Sequence, residues 1–256
     1  MKIASWNVNS LKVRLPHVLD WLGTAAPDVL ALQETKLVDE NFPGDAIREA
    51  GYEVVFTGQK TYNGVALLAR SEISDVEFES PEAAEGGKRV VKATVDGVRV
   101  INLYVVNGQS VGSEKYDYKL SWLDHIIDEV RAEIARHEQV VVLGDFNIAP
   151  ADEDVHDPEA WHEAILCSSP ERAKLRALLD AGLKDTFRLF EQPDSTFSWW
   201  DYRQGGFRRN RGMRIDLVLA STALAKRCTA AGIDAGPRRL ERPSDHAPVY
   251  AEFDHP

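Results

Sequence analysis

Short runs of apolar and β-branched residues recur along the chain, and polar or turn-forming residues bound each run. The first four runs cover residues 2–8, 28–33, 52–57 and 64–69. Runs of this length and composition are typical of strands rather than helices. The pattern therefore predicts four strands before residue 70.

Two later runs, 90–95 and 98–105, are separated only by Asp96 and Gly97. An Asp-Gly pair supplies the positive φ angles of a tight turn, so these runs predict a β-hairpin. Three further strands are predicted at 140–144, 215–220 and 247–253.

Apolar residues spaced three or four positions apart predict amphipathic helices between the strands. One helix follows the first strand and is expected to hold Pro16 in its first turn, where proline is tolerated. Its apolar face consists of Leu15, Val18, Leu19 and Leu22. A second helix is predicted over roughly 115–137.

A third helix is predicted where capping residues precede an apolar pattern. Ser169 is expected as the N-cap and Pro170 as the first helical residue, because a hydroxyl satisfies free N–H groups and proline has none to satisfy. Gly182 is expected to end this helix.

Hairpins and helix-linked strands occur together, which fits poorly with a purely parallel doubly wound sheet. The mixture predicts a mixed α+β sandwich, with sheets inside and helices outside. No low-complexity linker and no long charge run divides the 256 residues. The chain is therefore expected to form a single domain over residues 1–256.

Hydrophobic residues make up 44% of the chain, which is typical of a globular protein. No apolar run reaches the roughly 18 residues of a membrane helix, so no membrane partner is expected. The N-terminal apolar stretch is interrupted at Asn7, and Cys167 and Cys228 show no CxxC spacing. Without a signal peptide and with reduced thiols, the protein is predicted to be cytoplasmic.

The net charge is −11, from 30 Lys and Arg against 41 Asp and Glu. This balance argues against a broad basic surface for nucleic acid, so any such contact must be local. The segment 203–214 contains no acid, and tryptophan and tyrosine residues precede it. Its basic residues are Arg203, Arg208, Arg209, Arg211 and Arg214. They predict a phosphate-binding strip, with a solvated arginine loop as the alternative, and Arg238, Arg239 and Arg242 predict a second, weaker strip.

Polar side chains with catalytic potential stand at or near the ends of the predicted strands. They are Asn7, Asn9, Glu34, Tyr104, Asn107, Asp145, Asn147, Asp216, Asp245 and His246. If those strand ends meet at one rim, the cluster suits metal-assisted attack on a phosphate.

Each residue type suggests a role in such a reaction. Glu34 and Asp245 are candidate Mg²⁺ ligands, assisted by the Asn7 amide, because Mg²⁺ prefers oxygen ligands. Asp145 is a candidate proton acceptor for an attacking water, and Asn147 a candidate to hold that water or a phosphoryl oxygen.

His246 is expected to contact the phosphate oxygen as charge develops, with Asp216 fixing its orientation. Asp216 stands between Ile215 and Leu217 in an apolar strand, where an unpaired charge is costly, so a partner such as His246 is expected.

Each motif taken alone has a commoner structural explanation. An Asp-x-Asn after a strand is usually a turn, and an Asp-His before a strand is usually solvated. The acidic segment 152–163 superficially resembles a calcium loop, but Asp157 replaces the glycine that such a loop needs at its sixth position. A solvated acidic loop is the favoured interpretation there.

Six segments together resemble the exonuclease III/AP endonuclease family of the endonuclease/exonuclease/phosphatase superfamily. They are SWNVNSL (5–11), LALQETK (30–36), YNGVALL (62–68), LGDFNIAP (143–150), RGMRIDLVLAS (211–221) and PSDHAPVYAEF (243–253). They occur in the family's order and span nearly the whole chain. GDFN and SDH occur across the superfamily, whereas QETK and the segment from FSWWDYR to RIDLVLAS point to the DNA-repair branch.

The resemblance implies a four-layer α/β sandwich of two mixed β-sheets flanked by helices. It implies an Mg²⁺-dependent DNA-repair nuclease, with Mn²⁺ as a substitute, that acts as AP endonuclease, 3′ phosphodiesterase and 3′→5′ exonuclease. The expected partner is double-stranded DNA with abasic sites or 3′ ends, and the expected state is a monomer.

The resemblance also assigns roles to individual residues. The expected metal-site residues are Asn7, Glu34, Asp145, Asn147 and Asp245. The expected catalytic residues are Tyr104, Asp145, Asn147, Asp216 and His246. The expected DNA-binding residues are Asn107, Trp199, Arg208, Arg209, Arg211, Met213 and Ile215. Met213 replaces an aromatic residue that lines the pocket for an abasic sugar in some members.

Several alternatives remain open at the level of sequence. The number of metals, and the choice between Asp145 and His246 as the base, are not decided, nor is the balance of endonuclease and exonuclease activity. A superfamily phosphatase or phosphodiesterase acting on inositol phosphates, lipids or RNA is one rival function. A catalytically inactive nucleic-acid-binding relative is another.

Overall fold

The computed structural model describes residues 1–78 and 87–254. The strands are β1 (Lys2–Asn7), β2 (Val29–Gln33), β3 (Glu53–Thr57), β4 (Val65–Ala69), β5 (Ser74–Phe78), β6 (Val90–Val95), β7 (Val98–Tyr104), β8 (Val140–Asp145), β9 (Leu183–Asp185), β10 (Trp199–Trp200), β11 (Gly212–Met213), β12 (Asp216–Ser221), β13 (Cys228–Ile233) and β14 (Val249–Phe253). The helices are α1 (Leu11–Ala25), α2 (Gly44–Glu49), α3 (Glu114–Arg136), α4 (Ser169–Asp180) and α5 (Thr222–Ala225). Short 3₁₀ turns occur at Asp39–Asn41, Asp152–Asp154, Thr186–Leu189, Arg203–Gly205 and Gly236–Arg239.

The two large sheets have six strands each and related strand orders. The first sheet runs β13-β14-β1-β2-β4-β3 and the second runs β5-β6-β7-β8-β12-β9. Each sheet has one parallel pair at its centre, β1 with β2 and β7 with β8, and its other pairs are antiparallel. Both sheets are therefore mixed, as predicted.

Three apolar layers hold the sandwich together, because each central strand is buried on both faces. One layer fills the space between the sheets and includes Ile3, Val141 and Val218. A second packs α1 and α2 on the outer face of the first sheet. A third packs α3 and α4 on the outer face of the second sheet. The four-layer arrangement of helices, sheet, sheet and helices is confirmed.

A buried polar contact joins the sheets next to the ends of the central strands. Gln33 Nε2 on β2 donates to Asn102 Oδ1 on β7 at 2.8 Å, and Asn102 Nδ2 donates to the carbonyls of Leu32 and Ala66, each at 2.9 Å. Gln33 and Asn102 are fully buried. Because unpaired buried amides are costly, this arrangement favours one alignment of the two sheets.

Two helix starts differ from the prediction. Helix α1 begins at Leu11, so Pro16 lies in the second turn rather than the first. The N-cap of α4 is Ser168 rather than Ser169, because Ser168 exchanges bonds with Glu171 in a capping box. Pro170 remains within the first turn, where its missing N–H has no intrahelical partner.

The sequence pattern does not predict five of the strands described above, namely β5, β9, β10, β11 and β13. Strand β5 lies at a sheet edge with all its residues exposed, and β13 lies at the other sheet's edge with partly buried residues. Edge strands of this kind lack the continuous apolar run from which the central strands were predicted.

No helix in the described ranges is long and apolar enough to cross a membrane.

Candidate active site

The ends of central strands from both sheets meet at one rim. Asn7 ends β1 and is in register with Gln33 of the parallel strand β2, so that Glu34 follows at the same level. On the second sheet, Tyr104 of β7, Asp145 of β8 and Asp216 of β12 are in register across three adjacent strands. The strand order therefore gathers residues that are far apart in sequence.

A compact group of ionisable side chains forms where the two rims face each other. One ligand atom from each of Glu34, Asp145 and His246 lies within 4.8 Å of the others. His246 Nε2 is 3.8 Å from Asp145 Oδ2, and both residues are almost fully buried. This group is at the centre of the predicted catalytic cluster.

The predicted pair of Asp216 and His246 is present. His246 Nδ1 lies 2.9 Å from Asp216 Oδ2 and 3.1 Å from Asp216 Oδ1. Ser198 Oγ donates to Asp216 Oδ2 at 2.7 Å, which fixes the carboxylate from its other side. With Nδ1 directed to Asp216, the Nε2 edge of the ring faces Asp145 and remains for a ligand.

The pKa values of both His246 and Asp145 are raised, for different reasons. Burial lowers the pKa of His246, but the charges of Asp216 and Asp145 raise it to about 10. Burial also raises the pKa of Asp145 to about 7, although the charge on His246 lowers it. At neutral pH the histidine is therefore an imidazolium and a proton donor, and Asp145 is close to its titration point.

Three amide side chains organise Asp145. Asn7 Nδ2 donates to Asp145 Oδ2 and to Glu34 Oε1, each at 2.9 Å, and thus bridges two carboxylates. The backbone N–H of Asn147 donates to Asp145 Oδ1 at 2.9 Å, and its Nδ2 donates to Asp145 Oδ2 at 3.2 Å. Asn107 Nδ2 in turn donates to Asn147 Oδ1 at 3.1 Å.

The donor set around Asp145 fits a hard divalent cation. Glu34 and Asp145 supply carboxylate oxygens, which Mg²⁺ and Mn²⁺ prefer. Asp145 is 1% exposed, and burial together with the charges of the nearby Asp216 and Glu34 raises its pKa, so a bound cation would offset the repulsion among these carboxylates. In the arrangement described, the Asn7 amide directs its nitrogen to the carboxylates, so its oxygen would face a cation only after the amide rotates.

Asp245 belongs to an adjoining network rather than to the compact group. Asn9 Nδ2 donates to Asp245 Oδ1 at 2.9 Å, and Trp199 Nε1 donates to Asp245 Oδ2 at 3.1 Å. Burial raises the pKa of Asp245, but the charge on His246 and these two bonds bring it below the ordinary value. Lys36 connects the two groups, since its Nζ lies 2.7 Å from Glu34 Oε2 and 2.6 Å from Asn9 Oδ1.

Tyr104 stands beside the carboxylates at the end of β7. Burial and the charges of Glu34 and Asp145 raise the pKa of Tyr104 well above its ordinary value. Its phenol therefore stays protonated and can donate a hydrogen bond to an anionic ligand.

Comparisons with known proteins agree with this geometry. A sequence profile described as the endonuclease/exonuclease/phosphatase family matches residues 4–246. The chain belongs to the endonuclease/exonuclease/phosphatase family.

Similar family members narrow this membership. Exodeoxyribonuclease III of Haemophilus influenzae is 38% identical over 99% of this chain and 100% of its own length. The structure of the 3′ phosphatase NExo from Neisseria bound to a product DNA hairpin has a TM-score of 0.97 and 50% identity, with 100% of both chains covered. An AP endonuclease from Archaeoglobus fulgidus has a TM-score of 0.94 and 38% identity, again with 100% of both chains covered. The predicted assignment is confirmed: this family member is a DNA-repair nuclease of the exodeoxyribonuclease III/AP endonuclease type.

The basic segment of this family member is less uniform than its sequence suggests. Arg208, Arg209 and Arg211 are exposed and free to contact a phosphate. The inclusion of Arg214 in the strip is wrong, because Arg214 is buried and pairs with Asp154 at 2.6 Å and Asp185 at 2.8 Å. Its function is to tie the acidic loop to the sheet.

The prediction of a second basic strip, formed by Arg238, Arg239 and Arg242, also needs correction. Arg238 is only 5% exposed, and its guanidinium lies among the rings of Trp200, Tyr202 and Phe207. A buried guanidinium surrounded by aromatic rings cannot reach a DNA phosphate.

The predicted sugar pocket is covered in this structure. Met213 is 0% and Ile215 1% exposed, within an apolar cluster that also contains Leu166. Trp199 packs against this cluster and is partly exposed. Contact of Met213 or Ile215 with DNA therefore requires a neighbour to move, and their DNA-binding role stays a prediction.

Some residues at this site were missed in the sequence. Ser198 and Lys36 lie within the resembling or aromatic segments, but nothing in their spacing showed which carboxylates they contact. Lys119 is fully buried on α3, and its Nζ donates to the carbonyls of Asn107 at 3.1 Å and Asn147 at 2.7 Å. A lysine within an amphipathic helix gives no sequence signal of such a position.

Substitution Asp216→Asn is expected to lower the pKa of His246 from about 10 toward 6.5, because the charge of Asp216 is the largest influence that raises it. A group with a raised folded pKa stabilises the fold below its unfolded pKa, and this contribution is lost as pH rises through the folded pKa. The stability advantage of the wild type over the variant is therefore expected to be largest near pH 6 and to shrink toward pH 10.

Imidazole NMR in EDTA and denaturant unfolding over the same pH range would measure both quantities. An unchanged His246 pKa in the variant would show that the interaction with Asp216 does not control the charge of the histidine.

Proposed function

We propose that the protein hydrolyses phosphodiester bonds of double-stranded DNA at abasic sites and 3′ ends, in a reaction that requires Mg²⁺ and for which Mn²⁺ can substitute. The observation that carries this proposal is the buried group of Glu34, Asp145 and His246, whose ligand atoms lie within 4.8 Å of one another. Support comes from relatives named as exodeoxyribonuclease III and AP endonuclease, and from the similar structure that contains a product DNA hairpin.

In the proposed mechanism, Asp145 takes the proton of the attacking water. The water oxygen bonds to phosphorus, the bond between phosphorus and the 3′ oxygen breaks, and the leaving 3′ oxygen takes a proton from solvent. A base works best when its pKa is near the working pH, and burial brings the pKa of Asp145 to about 7. The pKa of His246 is raised to about 10, so the histidine is charged under the same conditions. In the site without a bound cation, these pKa values favour Asp145 over His246 as the base.

His246 instead donates from Nε2 to a phosphoryl oxygen while Asp216 holds Nδ1. Tyr104 donates a hydrogen bond from its phenol to another phosphoryl oxygen, since its raised pKa keeps the phenol protonated. Asn147 orients Asp145 through two N–H groups, and Asn107 keeps the Asn147 amide in place.

Glu34 and Asp145 would hold the cation, with Asn7, Asn147 and Asp245 as further metal-site residues. The cation supplies Lewis-acid stabilisation of the charge that develops on phosphate. Lys36 partly neutralises Glu34 in the structure described, which limits repulsion among the carboxylates.

DNA is proposed to bind through Arg208, Arg209 and Arg211, with Asn107, Trp199, Met213 and Ile215 nearer the cleaved bond. The exposed arginines form a local basic surface on a chain whose net charge is −11. Such a surface can bind the phosphate backbone although the whole protein is acidic. We further propose that residues 1–256 act as one catalytic domain, and that the enzyme is a cytoplasmic monomer.

We expect the protein to cleave an abasic duplex and a recessed 3′ end in Mg²⁺ but not in EDTA. Without a bound cation, the carboxylates of Glu34 and Asp145 would repel the anionic phosphate of the substrate. Restoration by added Mg²⁺ or Mn²⁺ is expected, and Glu34→Ala is expected to remain inactive at metal concentrations that saturate the wild type. A labelled-duplex gel assay measures all of these rates.

A soluble inositol phosphate and an RNA duplex in the same assay test the rival phosphatase function. Faster hydrolysis of either than of DNA would reject the proposed substrate. Tight binding of abasic DNA without cleavage in saturating Mg²⁺ would instead favour a non-catalytic binding protein.

A further inference from the structure

Arg14 lies on α1 outside the compact group, and its guanidinium is bound almost entirely to backbone carbonyls. Nε donates to the carbonyl of Arg242 at 3.1 Å and Nη2 to the carbonyl of Pro243 at 2.9 Å. Nη1 donates to the carbonyl of Asn9. One side chain therefore joins the loop after β1 to the loop before β14.

The loop before β14 has an unusual backbone that needs such support. Arg242 adopts a φ of +50°, a left-handed conformation that costs energy in a residue with a side chain. Tyr202 Oη donates to the Pro243 carbonyl at 2.8 Å, and Arg238 donates to the Ser244 carbonyl. Three consecutive carbonyls are thus held by side chains from elsewhere in the fold.

This loop leads directly into two site residues. Ser244 Oγ donates to the Asn7 carbonyl at 2.7 Å, and the backbone N–H of His246 donates to Ser244 Oγ at 3.2 Å. The backbone path of residues 242–244 therefore determines the backbone positions of Asp245 and His246.

Arg14 also acts on the opposite side of the Asp245 contact. It holds the backbone of Asn9, whose φ is +42°, and the side chain of Asn9 donates to Asp245 Oδ1 at 2.9 Å. The guanidinium thus holds the backbone of Asn9 and also the backbone two residues before Asp245.

We propose that Arg14 is a positioning residue for DNA cleavage, which fixes Asp245 and His246 relative to the end of β1 without touching the substrate. This inference rests on the roles proposed above for Asp245 and His246. The Nη2 group also contacts Tyr202 Oη at 3.2 Å, so each nitrogen of the guanidinium already has a protein acceptor. Four of the five N–H groups of the guanidinium thus have a protein acceptor.

The substitution Arg14→Lys separates positioning from charge. Lysine keeps the positive charge, but its single ammonium lacks the planar fork that reaches carbonyls on both loops. A displacement of about 1 Å at a catalytic group costs up to about 100-fold in rate, so kcat is expected to fall about 10- to 100-fold. KM and the Kd for DNA in EDTA are expected to stay within about twofold of the wild-type values, because the contacts that bind DNA in its ground state are unchanged.

Tyr202→Phe provides a second variant. It keeps the aromatic ring and removes only the hydroxyl, which donates to the Pro243 carbonyl and accepts from Arg14 Nη2. A smaller loss of kcat, of about threefold, is expected because one hydrogen bond of the same loop is lost. Arg131→Lys is the matched control, since Arg131 is an exposed arginine on α3 that pairs with Asp128, and it should match the wild type.

A double variant shows whether Arg14 acts through Asp245. If it does, Arg14→Lys costs little further rate in an Asp245→Asn background, because residues that act as a unit are not additive. If Arg14→Lys lowers kcat by the same factor in the wild type, in the Asp245→Asn background and in a His246→Asn background, the proposal is overturned. Thermal unfolding of all variants identifies any loss that merely follows unfolding.

The remaining outcomes separate this inference from the proposed function. A raised Kd with unchanged kcat in Arg14→Lys would make Arg14 a phosphate contact and overturn the positioning role. Wild-type kcat in Arg14→Lys, with slow Asp245→Asn and His246→Asn variants, would overturn this inference alone. Wild-type rates in those last two variants would overturn the site assignment itself.

Discussion

Replacing Asp145 with asparagine is expected to lower kcat for DNA cleavage by about 1,000-fold, within the range that a general base contributes. Asparagine preserves the size of the side chain but cannot accept a proton at neutral pH. In the site without a bound cation, burial brings the pKa of Asp145 to about 7, near the pH at which a general base works best. Its loss removes the base and one metal-site carboxylate together.

The same substitution is expected to leave the fold nearly as stable as the wild type. The amide keeps one acceptor oxygen but replaces the other with a donor NH2, so either the Asn147 backbone N–H or the side-chain amides of Asn7 and Asn147 lose an acceptor, which destabilises the site. The cost of burying a carboxylate with a raised pKa is also removed, which acts in the opposite sense.

Single-turnover kinetics and denaturant unfolding in EDTA measure the two effects of Asp145→Asn. Asp128→Asn, at an exposed carboxylate on α3, is the matched control and should retain wild-type kcat. A rate for Asp145→Asn within about tenfold of the wild type would eliminate Asp145 as the general base.

Substitution Lys119→Met is expected to destabilise the protein by about 3–5 kcal/mol, because it leaves a buried carboxylate without its partner. Lys119 and Glu171 are both 0% exposed and form an ion pair between α3 and α4. Burial lowers the pKa of Lys119, whereas the charge of Glu171 raises it. Methionine matches the stem of lysine in length but supplies no charge and no donors for the carbonyls of Asn107 and Asn147.

The double variant Lys119→Met with Glu171→Gln is expected to recover part of this loss. Glutamine removes the unpaired charge but keeps an oxygen acceptor for the N–H groups of Leu166 and Ser168. Lys174→Met on α4 is the control, because its partner Asp124 is exposed and surface pairs contribute at most about 1 kcal/mol. Urea unfolding midpoints measure all three, and a double variant less stable than Lys119→Met would contradict the buried-charge explanation.

The central strands and the pairing of Asp216 with His246 could be predicted for the same physical reason. A strand buried on both faces is nearly continuously apolar, and a charge within it must find a partner. Asp216 is 1% exposed and its partner is the predicted histidine at 2.9 Å. The convergence of Asn7, Glu34 and Asp145 followed from their positions at strand ends.

The supporting residues could not be predicted, because their function lies in contacts between distant segments. Arg14 binds carbonyls 228 and 229 positions away, and neither its own helix nor its neighbours reveal this. The prediction that Arg214 belongs to the phosphate-binding strip is wrong because Arg214 pairs with Asp154, which lies 60 positions earlier and outside the basic segment. Edge strands such as β5 could not be predicted for another reason: their residues are exposed, so their sequence carries no apolar pattern.

The site lies on the seam between the two sheets, and its histidine immediately precedes the last strand. β14 pairs with β1, so that Lys2 faces Glu252. A growing polypeptide that has not yet reached residue 246 carries Glu34 and Asp145 but no histidine beside them. The group of Glu34, Asp145 and His246 can therefore assemble only after the chain has been synthesised through residue 246, and a polypeptide that stops before His246 is expected to lack it.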